Sequence, residues 1–176
     1  MTGFLPRSPR TGATCRTALL LVLIAGGGCR DADNGAGNGD YVPLVSFDTA
    51  SAALISGADT ISITVEIAER EEQRSYGLME RATLPDDAGM IFIYGSQQRA
   101  DAGFWMYRTR IPLDIAFLDA NGTILTILGM EPCPDMDPRG CRTYPPGVPY
   151  FSALEVNRGY LAARGIGIGD RVVLHR

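Results

Sequence analysis

The chain has 176 residues, 45% of them apolar and 20% charged, with a formal net charge of −4; this excludes a low-hydrophobicity disordered chain and a multi-span membrane protein. All 16 basic residues are Arg, which excludes Schiff-base lysine chemistry and a P-loop lysine. The one His, His175, is penultimate, so a Ser-His-Asp triad, a Cys-His pair and a two-His metal site are discarded as well.

Residues 1–28 read as a signal peptide: Arg7, Arg10 and Arg16 precede the uninterrupted apolar run Ala18 to Ala25, too short to span a bilayer as a helix. Gly26-Gly27-Gly28-Cys29 resembles a bacterial lipobox, with Gly26 where Leu is usual. Lipidation of Cys29 is therefore expected, and the alternative is ordinary cleavage near Gly28 that leaves a soluble periplasmic protein. Residues 29–40 have four charges and few apolar side chains and read as a flexible tether. Arg30 follows the cysteine, where an Asp would argue for inner-membrane retention, so the expected location is the outer membrane, facing the periplasm. Removing residues 1–28 takes away three Arg and no acid, leaving 13 Arg against 20 acidic residues, a formal charge of −7. That sign disfavours nucleic-acid partners and leaves attachment to the membrane to the lipid.

Residues 41–176 form a single β-rich domain by this reading, and the abundance of Gly (21) and Pro (11) agrees. Ile61 to Ile67 alternates apolar and polar residues strictly, the period of a half-buried strand. Met90–Tyr94, Phe104–Tyr107, Ile115–Leu118, Thr123–Leu128, Phe151–Val156 and Arg171–Leu174 are further short β-branched or aromatic runs between Gly, Pro, Asn or Asp residues. Asp119-Ala120-Asn121-Gly122 predicts a hairpin turn. Two short helices are expected: Glu69 to Met79, and a segment N-capped by Asn157 and ended by Gly165.

With Cys29 lipidated and Cys15 removed with the signal, Cys133 and Cys141 remain. In an oxidising compartment they are expected to form a disulfide; a redox pair or a metal site lacks its usual spacing or its further ligands. No metal and no cofactor is expected. Met79, Met90 and Met106 sit in apolar runs and read as core rather than as Cu(I) ligands. Trp105 beside Arg108, Arg110 and Asp114 could form an aromatic platform with polar arms, but its neighbours Phe104 and Met106 favour the core. Asp114 opens an apolar strand after a proline and either faces a cleft or accepts backbone N–H bonds. Glu155 points opposite to Leu154 and Val156, which is commonly toward solvent; pointing inward, it would need Arg74 or Arg110 to neutralise it.

Arg74-Ser75-Tyr76-Gly77-Leu78-Met79, Leu84-Pro85-Asp86-Asp87-Ala88-Gly89-Met90-Ile91-Phe92, Phe104-Trp105-Met106 with Ile111 to Phe117, Cys133 with Cys141 and Tyr144, and Leu154 to Gly159 follow in one order. This series closely resembles domain-of-unknown-function family 192, over about Ile61 to Leu174. The resemblance implies a mainly β fold, a compact antiparallel β-sandwich resembling a jelly roll, and no established reaction. Where the family commonly continues Phe-Trp-Met with Lys-Asn-Thr, this chain has Tyr107-Arg108-Thr109. The cysteines are also widely spaced, and Tyr41 to Thr60 is extra.

The resulting expectation is a lipid-anchored, non-catalytic envelope module that binds a small molecule or an envelope protein. Its site would gather Trp105, Asp114 and Glu155 in one concavity, with Arg74 or Arg110 as counter-charge. The alternative is a hydrolase or lyase in which Asp114 and Glu155 act as general acid and base.

Overall fold

The computed structural model describes residues 45–134 and 137–176. The signal peptide, Cys29 and the tether lie outside them. Among the described residues no helix is long and apolar enough to cross a membrane. The elements in chain order are β1 (Asp48–Ser56), β2 (Asp59–Ala68), α1 (Glu71–Tyr76), β3 (Ala88–Gln98), β4 (Phe104–Trp105), β5 (Leu113–Leu118), β6 (Ile124–Met130), β7 (Thr143–Tyr144), β8 (Tyr150–Asn157), α2 (Tyr160–Ala163) and β9 (Arg171–His175).

Seven strands build one sheet in the order β6-β5-β8-β3-β2-β1-β9, and β4 pairs with β7 in a second, two-stranded sheet. The expectation of a mainly β domain with two short helices holds. One pair departs from the antiparallel pattern: β2 and β3 run parallel, because α1 and the following loop carry the chain back along the sheet before β3 begins. β1 falls in the segment read as extra. It is rich in Ala and Ser, and as an interior strand between β2 and β9 its Ala52 and Leu54 are fully buried.

The sheet rolls until its two edges meet. Ile124 N–H donates to Asp170 O at 2.8 Å, and Val172 N–H donates to Gly122 O at 2.8 Å. Gly122 is the last residue of the expected hairpin turn, where Asp119 Oδ1 accepts from Asn121 N–H and Thr123 N–H, both at 2.8 Å. It has φ +81°, and a Cβ there would stand 2.1 Å from Val172 O. Only glycine allows both the turn and the closure.

Alternation along the strands supplies two cores. Leu54, Val65, Ile91, Ala116, Leu118, Leu154 and Val156 face the inside of the roll, which Tyr160, Leu161 and Ile166 close at one end. The opposite faces of β3, β5 and β8 carry Met90, Phe92, Leu113, Ile115, Phe117 and Ala153, packed under Leu78, Met106, Met130 and Tyr144. β5 is therefore buried on both faces along its whole length. α2 is shorter than expected: Asn157 is the last residue of β8 and donates to Leu84 O at 3.0 Å, while Gly159 (φ +78°) takes the cap position.

Candidate functional site

Glu155 lies in the middle of β8 and is only 4% exposed. Its register partners are Met90 on β3 and Ile115 on β5, so it points away from the inside of the roll, into the second core. The expected solvent-facing position is corrected here: the face that is outward in the sheet is itself covered, by α1, the turn after it and β4. No hydrogen bond or ion pair reaches the Glu155 carboxyl from the described residues. Burial pushes its pKa up to about 8, so it is mostly protonated at neutral pH.

The Glu155 carboxyl forms part of a cleft whose wall is the C-terminal part of α1 and the following turn, residues 74–79, with Phe92, Phe104, Trp105 and Thr109 opposite. The cleft holds about 30 Å³. One water needs on the order of 10–15 Å³, so the space fits a small chemical group and no complete metabolite.

Each wall has its own support. Gln73, 1% exposed, caps the start of α1 from its N3 position: its Oε1 accepts from Arg70 N–H at 3.0 Å and from Glu69 N–H at 3.2 Å, while Nε2 donates to Ser46 O at 2.9 Å. Gly77 ends the helix at φ +52°, and a Cβ there would press against the Phe92 ring at 3.3 Å. Opposite, Phe104 stacks edge-on against Phe92 (4.9 Å between centroids) and Phe117 (5.5 Å), and fixes β4 to the core. Trp105, next in the strand, turns out of that core and is 44% exposed. The expected core position of Trp105 is thus corrected: in a two-residue strand Phe104 takes the inward side, and alternation sends Trp105 to the rim, 5.4 Å from the Tyr107 ring.

The turn carrying Thr109 is held by two devices. Cys133 and Cys141 are disulfide-bonded with Cα atoms 5.8 Å apart, as expected, and Cys133 N–H donates to Thr109 O at 3.0 Å. Glu80 and Arg108 both have left-handed backbones, φ 63° and 56°, and are joined by Glu80 N–H donating to Arg108 O at 2.8 Å. The Glu80 carboxylate binds Arg108 at 2.5 Å and also Arg110. Its hydrogen bond from Arg108, with that from Arg110, holds its pKa below the usual range.

Three of the five expected site residues, Arg74, Trp105 and Glu155, line this cleft; Asp114 and Arg110 do not. Arg110 is committed to Glu80. Arg74 reaches the cleft without neutralising Glu155: its Nη1 donates to Glu69 O and to Ile93 O (3.2 Å), and its guanidinium lies 5.1 Å above the Tyr94 ring. Asp114 pairs in register with Val156, one residue from Glu155, so the pleat places it on the other face of the sheet. There Asp114 Oδ2 accepts from Gly159 N–H at 2.7 Å and Oδ1 lies 3.3 Å from Arg158 Nε. Burial raises the Asp114 pKa, opposed by the Gly159 hydrogen bond and the Arg158 charge. Of its two expected roles, accepting backbone N–H bonds is the one observed.

Sequence reasoning did not single out Tyr76, Phe104 or Thr109 as cleft residues, nor Gln73 and Glu80 as its supports. Nothing local marks Gln73, since the Arg70 side chain has no acceptor and is no N-cap signal, or the left-handed pair Glu80 and Arg108. Among the described residues no group of three or more His, Cys, Asp or Glu side chains is placed to hold a metal.

Fold and site together define a class: a rolled β domain with a small cleft on its outer face, lined by a buried carboxyl and rimmed by an aromatic ring. Over residues 53–174 the chain matches the family model DUF192, described as "Uncharacterized ACR, COG1430", and it belongs to that family. Its fold is shared by a protein from Sinorhizobium meliloti 1021, described as a "putative transcription regulator": 32% identity, TM-score 0.65, 74% of this chain and 96% of that one covered. A protein of unknown function from Novosphingobium aromaticivorans DSM 12444 is similar at 27% identity and TM-score 0.62, covering 74% and 94%. No curated protein matches the chain.

Proposed function

We propose that this protein is an exported, lipid-anchored envelope module that binds a small chemical group in the Glu155 cleft and carries out no reaction there. The observation that carries the reading is the Glu155 carboxyl itself: 4% exposed, with no hydrogen bond or ion pair to it among the described residues, and lining a cleft that opens beside Trp105. A buried polar group left unpaired costs stability, and folds retain such groups most readily where they are used. The rival acid and base reading loses its pair, since Asp114 and Glu155 occupy opposite faces of the sheet and Asp114 is taken by Arg158 and Gly159.

Export and anchoring rest on the arginine-containing leader, its apolar run and Gly28-Cys29, and the disulfide is in keeping with an oxidising compartment. A net charge of −7 after removal of residues 1–28 weighs against carrying a transcription-regulator role over to this chain.

Trp105 is the only tryptophan of the chain, so its fluorescence reports on the rim without labelling. Titration with methylammonium, acetate and acetamide is expected to give a saturable change with at least one of them, lost in Glu155→Gln, while NMR of the compound shows no chemical conversion. Silence of Trp105 toward all three refutes the binding reading, and conversion of a compound refutes the non-catalytic one.

A further inference from the structure

Resting on the binding role of the Glu155 cleft, we propose that the group it takes is the head of a primary alkylamine, a protonated ammonium that pairs with Glu155 while its carbon stem leaves past Trp105. The cleft has one acidic group and four aromatic side chains among its lining residues, Tyr76, Phe92, Phe104 and Trp105. Ring faces attract a cation and offer nothing comparable to an anion. An anion would find only the neutral acid form of Glu155 and the Arg74 guanidinium, which is already engaged by the carbonyls of Glu69 and Ile93 and the Tyr94 ring. A neutral carbonyl could accept a hydrogen bond from protonated Glu155, but it would leave the aromatic walls without a charge to act on.

Among the described residues, the arginines nearest the cleft are engaged elsewhere, Arg81 with Glu66. Arg74 spends its guanidinium on the carbonyls of Glu69 and Ile93 and on the Tyr94 ring. Arg108 and Arg110 are bound to Glu80, and the sequence contains no Lys. A space of about 30 Å³ suits a single ammonium head and selects against guanidinium and quaternary amines, which are bulkier. The stem lies along the indole of Trp105, which is 44% exposed.

Proton balance gives the site a signature. The ammonium arrives charged and stays so; the proton of Glu155 leaves to buffer, and an ion pair replaces a neutral acid. Among the described residues the charged or titratable groups lining the cleft with Glu155 are Arg74 and Tyr76 from α1; Tyr94 from β3 feels the Glu155 charge, and Glu66 on β2, next in the register row through Met90, is paired with Arg81. Tyr94 is itself held neutral by burial. Affinity therefore follows the ionisation of Glu155, rising about tenfold per pH unit below its pKa near 8 and levelling above it.

The test is calorimetry and Trp105 fluorescence with n-butylammonium at pH 6, 7, 8 and 9 in two buffers of different ionisation enthalpy. Expected are about one proton released per amine bound at pH 6 to 7, affinity at least tenfold higher at pH 8 than at pH 6, weaker binding of tetramethylammonium, and loss of binding in Glu155→Gln. Nα-acetyl-lysine N-methylamide in a parallel arm separates a free amine from a lysyl side chain as the source; binding of either supports the head-group assignment. Binding without proton release, or acetamide or acetate binding in place of the amine, overturns the ammonium while leaving a small-group site standing. Failure of every compound removes both readings. The proton count is measured on the unaltered protein and so does not depend on the folding of the variant.

Discussion

Replacing Glu155 by Gln removes an ionisation from the core while keeping its shape. In the unfolded chain the carboxyl titrates near 4.5, and in the fold burial moves it to about 8. The folded state thus holds the proton more tightly. Its contribution is fully present below pH 4.5 and is lost as the pH rises to about 8. Each pH unit in that window costs about 1.4 kcal/mol, so the wild type loses at most about 5 kcal/mol relative to Glu155→Gln between pH 4.5 and 8. Water entering the cleft on ionisation lowers that figure, and a loss of 2 to 3 kcal/mol, roughly half the ceiling, still separates this carboxyl from an exposed one. Urea unfolding of both proteins at pH 5, 6, 7, 8 and 9 measures it, because the difference between the two curves cancels the other titrating groups. A difference that stays flat from pH 5 to 9, or that grows in favour of the wild type, refutes the buried neutral carboxyl and with it the account of the cleft.

Gly122→Ala forces a Cβ to within 2.1 Å of Val172 O; a loss of about 2 to 4 kcal/mol is expected, with faster amide exchange at Ile124 and Val172 before other strand residues. Serine at both Cys133 and Cys141 opens a short loop, for which chain entropy gives about 2.5 kcal/mol; the melting temperature should fall, and the Trp105 emission should shift as the Thr109 turn loosens. Asp114→Asn weakens the tie to Gly159 and Arg158 and should cost about 1 to 2 kcal/mol while leaving amine binding at pH 8 unchanged. Loss of amine binding in a folded Asp114→Asn would place that residue in the site after all. Phe117→Ala, at the junction of Phe104 and Tyr150, should cost about 3 to 5 kcal/mol.

Strand periodicity carried most of the fold. Ile61 to Ile67 alternates because one side of β2 faces the inside of the roll, and β5 reads as a solid apolar run because both of its faces are covered. β1 was illegible for the converse reason: its small Ala and Ser residues carry little hydrophobic contrast, and its place is set by β2 and β9 on either side. Glu155 shows a limit of alternation as a guide. The period assigns it correctly to the face opposite Leu154, but whether that face meets water depends on α1 and β4, elements far away in the chain. The same holds for its separation from Asp114, which is a matter of register between β5 and β8. Trp105 and Phe104 could not be sorted from their identities, since either ring would fill a core and only the pairing of β4 with β7 decides which one does.

The first and last strands of the domain are neighbours: β9 lies against β1 and also makes the bridge to the turn before β6. The roll cannot close until β9 is available, and its closure carries the loop entropy of bringing the two ends of the domain together. A chain interrupted a few residues short of Arg171 would leave β1 and β6 as open edges at the same time, each a template for pairing with another chain. A single short strand, β9, thereby shields two edges at once.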